Sequence, residues 1–442
     1  MMHLTTEWRK PVVFLKTNHL ARNSGFTIAT AAANGVLGFA FWTVADRWAP
    51  PSSIGAATAL LSVIILGSII ANFGIGPTIV QRLPQLTEPS EWGSMVSAAV
   101  ITSGGIAGVI GVFLLVILPH LSPLYTVILH QPFLAVSVVL GVVVLTCATM
   151  LDYVNMGSRE THIGLLRNVV FGLLKLGLLV VLVLVGVEES ATSVLSVWIW
   201  SSALISLVTF AYLLPLTGHE NHWPSRETWR DLGRGAVRIF WNYLAMLGGA
   251  VIPYLMPLVV ITVLSPTQNA YFYMAWTIAN LLLVVSAAVS GNMLAEASFA
   301  SGHLRSQVIL GMRIVCSLLI PATIVLVLFG RTILSAFGPG YASHSYAILL
   351  VFTLIVWPDT ATNIYVTVLR VWERKGLAAL LNIVMAVGSL GLAILLMPTF
   401  GALGAAWGWF LGEMIGTILA ALHLLYLRSR RAPRGAAPVR AN

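Results

Sequence analysis

Long apolar runs alternate with short polar breaks along this chain, and the runs have the length that a helix needs to cross a bilayer, ~20 residues at ~1.5 Å rise each. Hydropathy predicts about twelve such spans. Their limits are 24 to 46, 54 to 81, 93 to 118, 133 to 155, 163 to 186, 192 to 215, 236 to 262, 270 to 296, 309 to 330, 343 to 369, 376 to 397 and 402 to 427. Several are longer than a bilayer requires, which tilt, kinks or protruding ends accommodate. The predicted class is all-α, a polytopic integral membrane protein. The longest polar connection, LTGHENHWPSRETWRDLGR, divides the spans six and six. The expected organisation is therefore an N-terminal segment 1–23, a six-helix lobe 24–215, a linker 216–235, a second six-helix lobe 236–427 and a basic tail 428–442. Trp223 and Trp229 suit either an interfacial linker lying on the cytoplasmic surface or a solvated one.

Charge tests the span count independently, because segments on the cytoplasmic side carry the Lys and Arg. With the N-terminus inside, only Arg47 and Arg331 of the 24 basic residues fall outside and Lys175 falls within a span; the rest are inside. A wrong count would scramble that alternation. Both termini are expected in the cytoplasm, and no removable signal peptide is expected.

Composition agrees: 58% hydrophobic, 9% charged, mean hydropathy +0.91. The net charge of +9 follows from topology, so anionic lipid is the expected counterpart and nucleic acid is not. Cys147 and Cys316 lie inside spans and read as packing residues. The outer loops are short and hold no candidate catalytic set. His120 and His130 stand in the longest without carboxylate or basic companions. No Walker sequence, metal-ligand spacing or nucleotide fingerprint occurs. An enzyme is not expected, nor a cofactor beyond a coupling ion.

Lys175 lies near the middle of the run from 163 to 186, in a chain with only four Lys. A charge at that depth is costly and its stem does not easily reach headgroups, so it is expected to face a cavity. Arg167 lies two helical turns earlier on a similar face. Asp359 and Glu413 fall near the middle of spans ten and twelve; if those helices are neighbours, the carboxyls can share a proton or bind a cation such as Na⁺. Otherwise they are separate groups bonded to backbone. Gly404, Gly408, Gly412 and Gly416 make a smooth ridge for helix packing. Span seven carries Gly248, Gly249, Pro253 and Pro257, a candidate hinge or a static kink. Asn34, Asn72, Asn242, Asn280 and Asn292 are candidates for a polar path or for interhelical hydrogen bonds.

Several stretches resemble a known family. FWTVADRWAPPSSIGAATALLS followed by NFGIGPTIVQRLPQ, and later FGPGYASHSYAILL and LMPTFGALGAAWGWFLG, are similar to segments of the polysaccharide flippases in the multidrug/oligosaccharidyl-lipid/polysaccharide exporter (MOP) superfamily. Asp46 departs from that pattern and stands where it can neutralise Arg47. The resemblance implies two lobes around a central cavity that opens alternately to each side, carrying a polyprenyl-pyrophosphate-linked oligosaccharide to the outer leaflet. On this reading Lys175 and Arg167 contact phosphate, Asn34, Asn242 and Asn280 contact sugar, and Asp359 and Glu413 couple transport to H⁺ or Na⁺. A polysaccharide polymerase or export complex is the implied partner. The competing functions are a multidrug or metabolite antiporter, a peptidoglycan-precursor flippase, and a membrane ligase or glycosyltransferase, which would need a charged outer loop.

Overall fold

The structure, a computed structural model, describes residues 19–72, 74–121, 125–158, 160–213, 222–235, 251–299, 304–372 and 374–431. These are helical throughout, with no strand among the described residues. Ten helices among them are long and apolar enough to cross a membrane, and the chain is a multi-pass membrane protein. Large apolar side chains such as Val109, Leu184 and Leu395 project outward, as lipid contact requires.

The chain gathers into two compact units. The first comprises the described residues within Met1–Leu247, Pro253–Tyr273 and Ser335–Gly340, the second those within Gly248–Ile252, Met274–Leu334 and Tyr341–Asn442.

In the first unit, α1 (His19–Trp48) is followed by α2 (Pro51–Asn72) and the short α3 (Ile75–Arg82). The predicted single span 54–81 is thus two helices. Gly74, at φ 80°, ends the continuous run because a left-handed residue cannot extend a right-handed helix. Then come α4 (Pro89–Leu121), α5 (Thr126–His130), α6 (Pro132–Gly157), α7 (Thr161–Val185) and α8 (Ala191–Val208). Pro51, Pro89 and Pro132 each open a helix, where the missing N–H is no loss. Between α7 and α8, Gly186 adopts φ 75°. Val187 donates to the Leu182 carbonyl and Gly186 to that of Val183, the paired bonds of a glycine-ended helix. Ser190 then caps α8 by accepting from the Ser193 N–H at 3.2 Å.

The linker is not a solvated tether where it is described. Residues 226–235 form helix α9, capped by Ser225, with Leu232 buried among Ile75, Ile79, Trp92 and Met95. Trp229 packs against the same cluster while Trp223 is exposed. An Arg82–Asp231 ion pair and a Ser94–Thr228 hydrogen bond of 2.9 Å fasten it. Burial of Leu232 alone contributes about 2 kcal/mol.

Next come α10 (Ile252–Val263) and α11 (Pro266–Phe299). Of the predicted seventh span, 236–262, only the part from 251 is described. The start of α11 packs on α2 at Gly55, where an added Cβ would overlap the Pro266 carbonyl. Asn269 donates to the Gly55 carbonyl at 2.8 Å and to Thr58 Oγ1 at 3.2 Å. The small residues of the PPSSIGAATA stretch thus let two backbones meet.

The second unit holds the rest of α11, then α12 (Leu304–Ser335), α13 (Tyr341–His344), α14 (Tyr346–Val371), α15 (Lys375–Phe400) and α16 (Ala402–Arg431). The glycine ridge of α16 lies on α15. An added Cβ at Gly404, Gly408, Gly412 or Gly416 would collide with Leu396, Ala393, Ser389 or Met385 respectively. The ridge is therefore a packing surface, and a third helix, α14, completes the layer with Thr362 against Gly416.

Candidate functional site

Each unit holds charged side chains within its spans, and the two sets are built differently. In the first unit the buried residues of α7 are Ile163, Gly164, Arg167, Gly172, Lys175 and Leu179, which fall on one side of the helix. Arg167 and Lys175 thus share the inward face. Gly172, between them, lets α1 approach: a Cβ there would meet Leu37 at 2.5 Å.

Lys175 is 6% exposed, and its ammonium lies over three rings, Trp198 at 4.5 Å, Phe171 at 4.8 Å and Phe41 at 5.1 Å. Phe171 and Trp198 also meet edge to face, with centroids 5.2 Å apart. Rings hold a cation through their quadrupoles, about 0.5–2 kcal/mol each, and do so without cancelling its charge. Among the described residues Lys175 forms no ion pair.

Arg167 is buried but not alone. Its Nη1 donates to the Ala148 carbonyl at 2.8 Å and its Nη2 to Asp152 Oδ2 at 2.6 Å. The headgroup-contact candidate near the cytoplasmic mouth thus has a carboxylate partner, supplied by α6. Asn168 donates to the Gly164 carbonyl at 2.8 Å and more distantly to Asp152 Oδ1, 3.4 Å. Asn34 of α1 donates to Asn168 Oδ1 at 3.2 Å, which ties three helices together.

Two cavities adjoin this network. The larger, about 340 Å³, is lined by Thr30, Asn34, Thr149, Asp152, Asn155 and Thr161 among others. The smaller, about 140 Å³, is lined by Thr149, Asp152, Arg167, Phe171, Trp198 and Ser202 among others. Thr149 and Asp152 border both. Phe171 and Trp198 belong both to the smaller cavity and to the box around Lys175. Sequence reasoning missed Asp152, although a carboxylate inside the predicted span 133–155 was a usable signal. Phe171 was also readable, four residues before Lys175 and therefore on its face.

In the second unit α14 and α16 are neighbours and bring Asp359 and Glu413 together. Glu413 is 5% exposed; Thr362 Oγ1 lies 3.2 Å from its Oε2, and Trp409 is a second hydrogen-bonding neighbour. Asp359 is close enough to act electrostatically on Glu413 and lies beside Ser286 and Asn363. Asn363 Nδ2 is 3.3 Å from Ser286 Oγ, and Asp359 Oδ2 is buried with no hydrogen-bond partner among the described residues. Carboxylate and hydroxyl oxygens fit a proton or a hard cation such as Na⁺. No group of three or more His, Cys, Asp or Glu gathers among the described residues.

The other sequence candidates are dispersed. Asn280 is half-buried on α11 and Asn72 is buried at the end of α2. Pro253 lies in the first turn of α10 and Pro257 inside it. Asn242, Gly248 and Gly249 lie outside the described residues. Arg47 donates from Nε to the Ala336 carbonyl at 2.7 Å.

No family model matches the chain, and no curated protein does. Solved structures do. An inward-facing multidrug resistance MATE family transporter of the MOP superfamily superposes with a TM-score of 0.68 at 15% identity, over 90% of this chain and 96% of its own. The lipid II flippase MurJ in an inward closed conformation gives 0.68 at 13%, over 90% and 87%. A MOP superfamily transporter from Pyrococcus furiosus, described as having a binding pocket of reversed polarity, gives 0.58 at 14%, over 93% and 95%. The chain has the fold of the MOP superfamily transporters.

Proposed function

We propose that the protein is a flippase that moves a polyprenyl-pyrophosphate-linked oligosaccharide from the inner to the outer leaflet of a bacterial cytoplasmic membrane, for cell-surface polysaccharide synthesis. The observation that carries this reading is the setting of Lys175, buried within a span under three ring faces. An ammonium inside a span, held by three ring faces and by no carboxylate among the described residues, keeps its positive field directed at its surroundings. Two of those rings line a cavity, where low dielectric strengthens attraction for an anion well beyond its value in water. A pyrophosphate headgroup matches that field. Polar side chains on the larger cavity, Thr30 and Asn34, offer hydrogen-bonding groups to sugar hydroxyls.

Flipping needs no covalent chemistry, only two conformations of comparable energy and a difference in cargo affinity between them. The carboxyl pair supports gradient coupling: when both are ionised, Asp359 and Glu413 repel at close quarters, and a proton or Na⁺ relieves that repulsion. A second reading, an antiporter exporting organic cations, draws on that same pair, but Lys175 repels such a cargo.

The test is a profile of lipid-linked oligosaccharides by leaflet in cells with the wild type, without the protein and with Lys175→Ala at equal abundance. Inner-leaflet accumulation in the last two supports the reading. Normal export by a stable Lys175→Ala protein sinks it and leaves the antiporter.

A further inference from the structure

We propose that Asp152 is a resident anion for Arg167, which the phosphate of an arriving headgroup replaces, so that this one carboxylate sets which anions the first unit accepts. The inference rests on the anionic-cargo reading above and adds to it a specificity-determining residue.

The two members of the pair are unequal. Arg167 has a side chain only 6% exposed, whereas that of Asp152 is 47% exposed. Arg167 is held in place on one side by the Ala148 carbonyl at 2.8 Å, and its Nε has no hydrogen-bond partner among the described residues. Asp152 is held by the 2.6 Å bond to Arg167 and by a long 3.4 Å contact from Asn168. Asn168 keeps its better bond to Gly164 if the carboxylate leaves. The fixed partner is thus the cation and the replaceable partner the anion.

Position gives this inequality a use. Asp152 borders both cavities, and Arg167 borders only the smaller. An anion in the larger cavity therefore meets a carboxylate before it meets the guanidinium. A neutral solute gains nothing by displacing that carboxylate, because a buried Arg left without its anion is strongly unfavourable. A phosphate can take over the guanidinium's charge-assisted bonds, with Lys175, held against the Phe171 and Trp198 rings that line the smaller cavity, adding attraction. The exchange conserves pairing at Arg167 and discriminates by charge, since the weaker anion stays outside.

The experiment is titration of the purified full-length protein with geranyl pyrophosphate, with geraniol as the uncharged control. Asp152→Asn retains an oxygen to accept from Arg167 Nη2 while removing the competing charge. It should bind the pyrophosphate on the order of tenfold more tightly than wild type, with geraniol unchanged. Asp152→Glu keeps the competitor and should bind within about threefold of wild type. Asp152→Asn with Arg167→Gln leaves no orphaned charge, so it guards against misfolding, and it should lose the gain.

Unchanged or weaker binding by a folded Asp152→Asn protein overturns the inference, as does a gain that survives in the double variant. If wild-type binding depends on Lys175 and Asp152→Asn is neutral, the anionic-cargo reading stands and only the role of Asp152 falls. No pyrophosphate binding by any variant overturns both.

Discussion

Lys175 in the first unit and Glu413 in the second are almost equally hidden, 6% and 5% exposed, yet their surroundings treat charge in opposite ways. Around Lys175 stand three ring faces and no counter-ion among the described residues. Beside Glu413 stand a hydroxyl and a second carboxyl. Ring quadrupoles stabilise a cation without neutralising it, so the first arrangement maintains a standing positive field. Two crowded carboxyls repel, so the second invites a proton or cation to remove charge. The contrast teaches a division of labour: under the proposed function the first unit recognises an anionic headgroup, and the second responds to the gradient.

The largest expected effect comes from erasing the standing field. Lys175→Ala should slow outward movement by roughly a hundredfold, the value of about 3 kcal/mol for a charged hydrogen bond. Lys175→Arg, wider and differently hydrated, should retain part of the rate. Inner-leaflet accumulation against protein abundance measures both.

Packing of the second unit can be broken without touching a charge. Gly408→Ala places a Cβ 2.2 Å from the Ala393 backbone nitrogen, and such overpacking should lower the unfolding free energy by about 1–3 kcal/mol. Thermal unfolding in detergent reads this directly, and an unchanged midpoint would show that α15 and α16 are not held at this separation.

For the carboxyl pair, Asp359→Asn and Glu413→Gln should each cut reconstituted transport about tenfold and flatten its dependence on a proton or Na⁺ gradient. Wild-type rate and gradient dependence in both would make the groups structural.

Smaller effects separate the box from its charge. Trp198→Leu removes one cation–π contact, about 1 kcal/mol, and should reduce transport severalfold; the same change at exposed Trp223 should leave the rate as it was. Smallest of all, Gly391→Ala on α15 has no atom within 4 Å of the new Cβ. It should raise stability by at most about 1 kcal/mol through helix propensity, which a melting curve resolves against Gly408→Ala.

Much of this was written in one dimension. Hydropathy and charge alternation specify an all-helical membrane protein, because lipid imposes its demands on every span separately. Four glycines at four-residue spacing identify a packing ridge for the same reason: helical period is local. The position of Lys175 at mid-span, and of Asp359 and Glu413 at similar depth, was equally legible.

What sequence could not supply was partnership. That Arg167 is paired with Asp152 across α6 and α7, that Lys175 sits in a box built from α1, α7 and α8, and that α9 is docked by Leu232 all depend on which helix faces lie together. So does the meeting of Asp359 with Glu413. Period and hydropathy determine where along its own axis each helix places a charge, but the rotation and neighbour of each helix follow from side-chain interlocking among many helices at once, and only the tertiary structure resolves that.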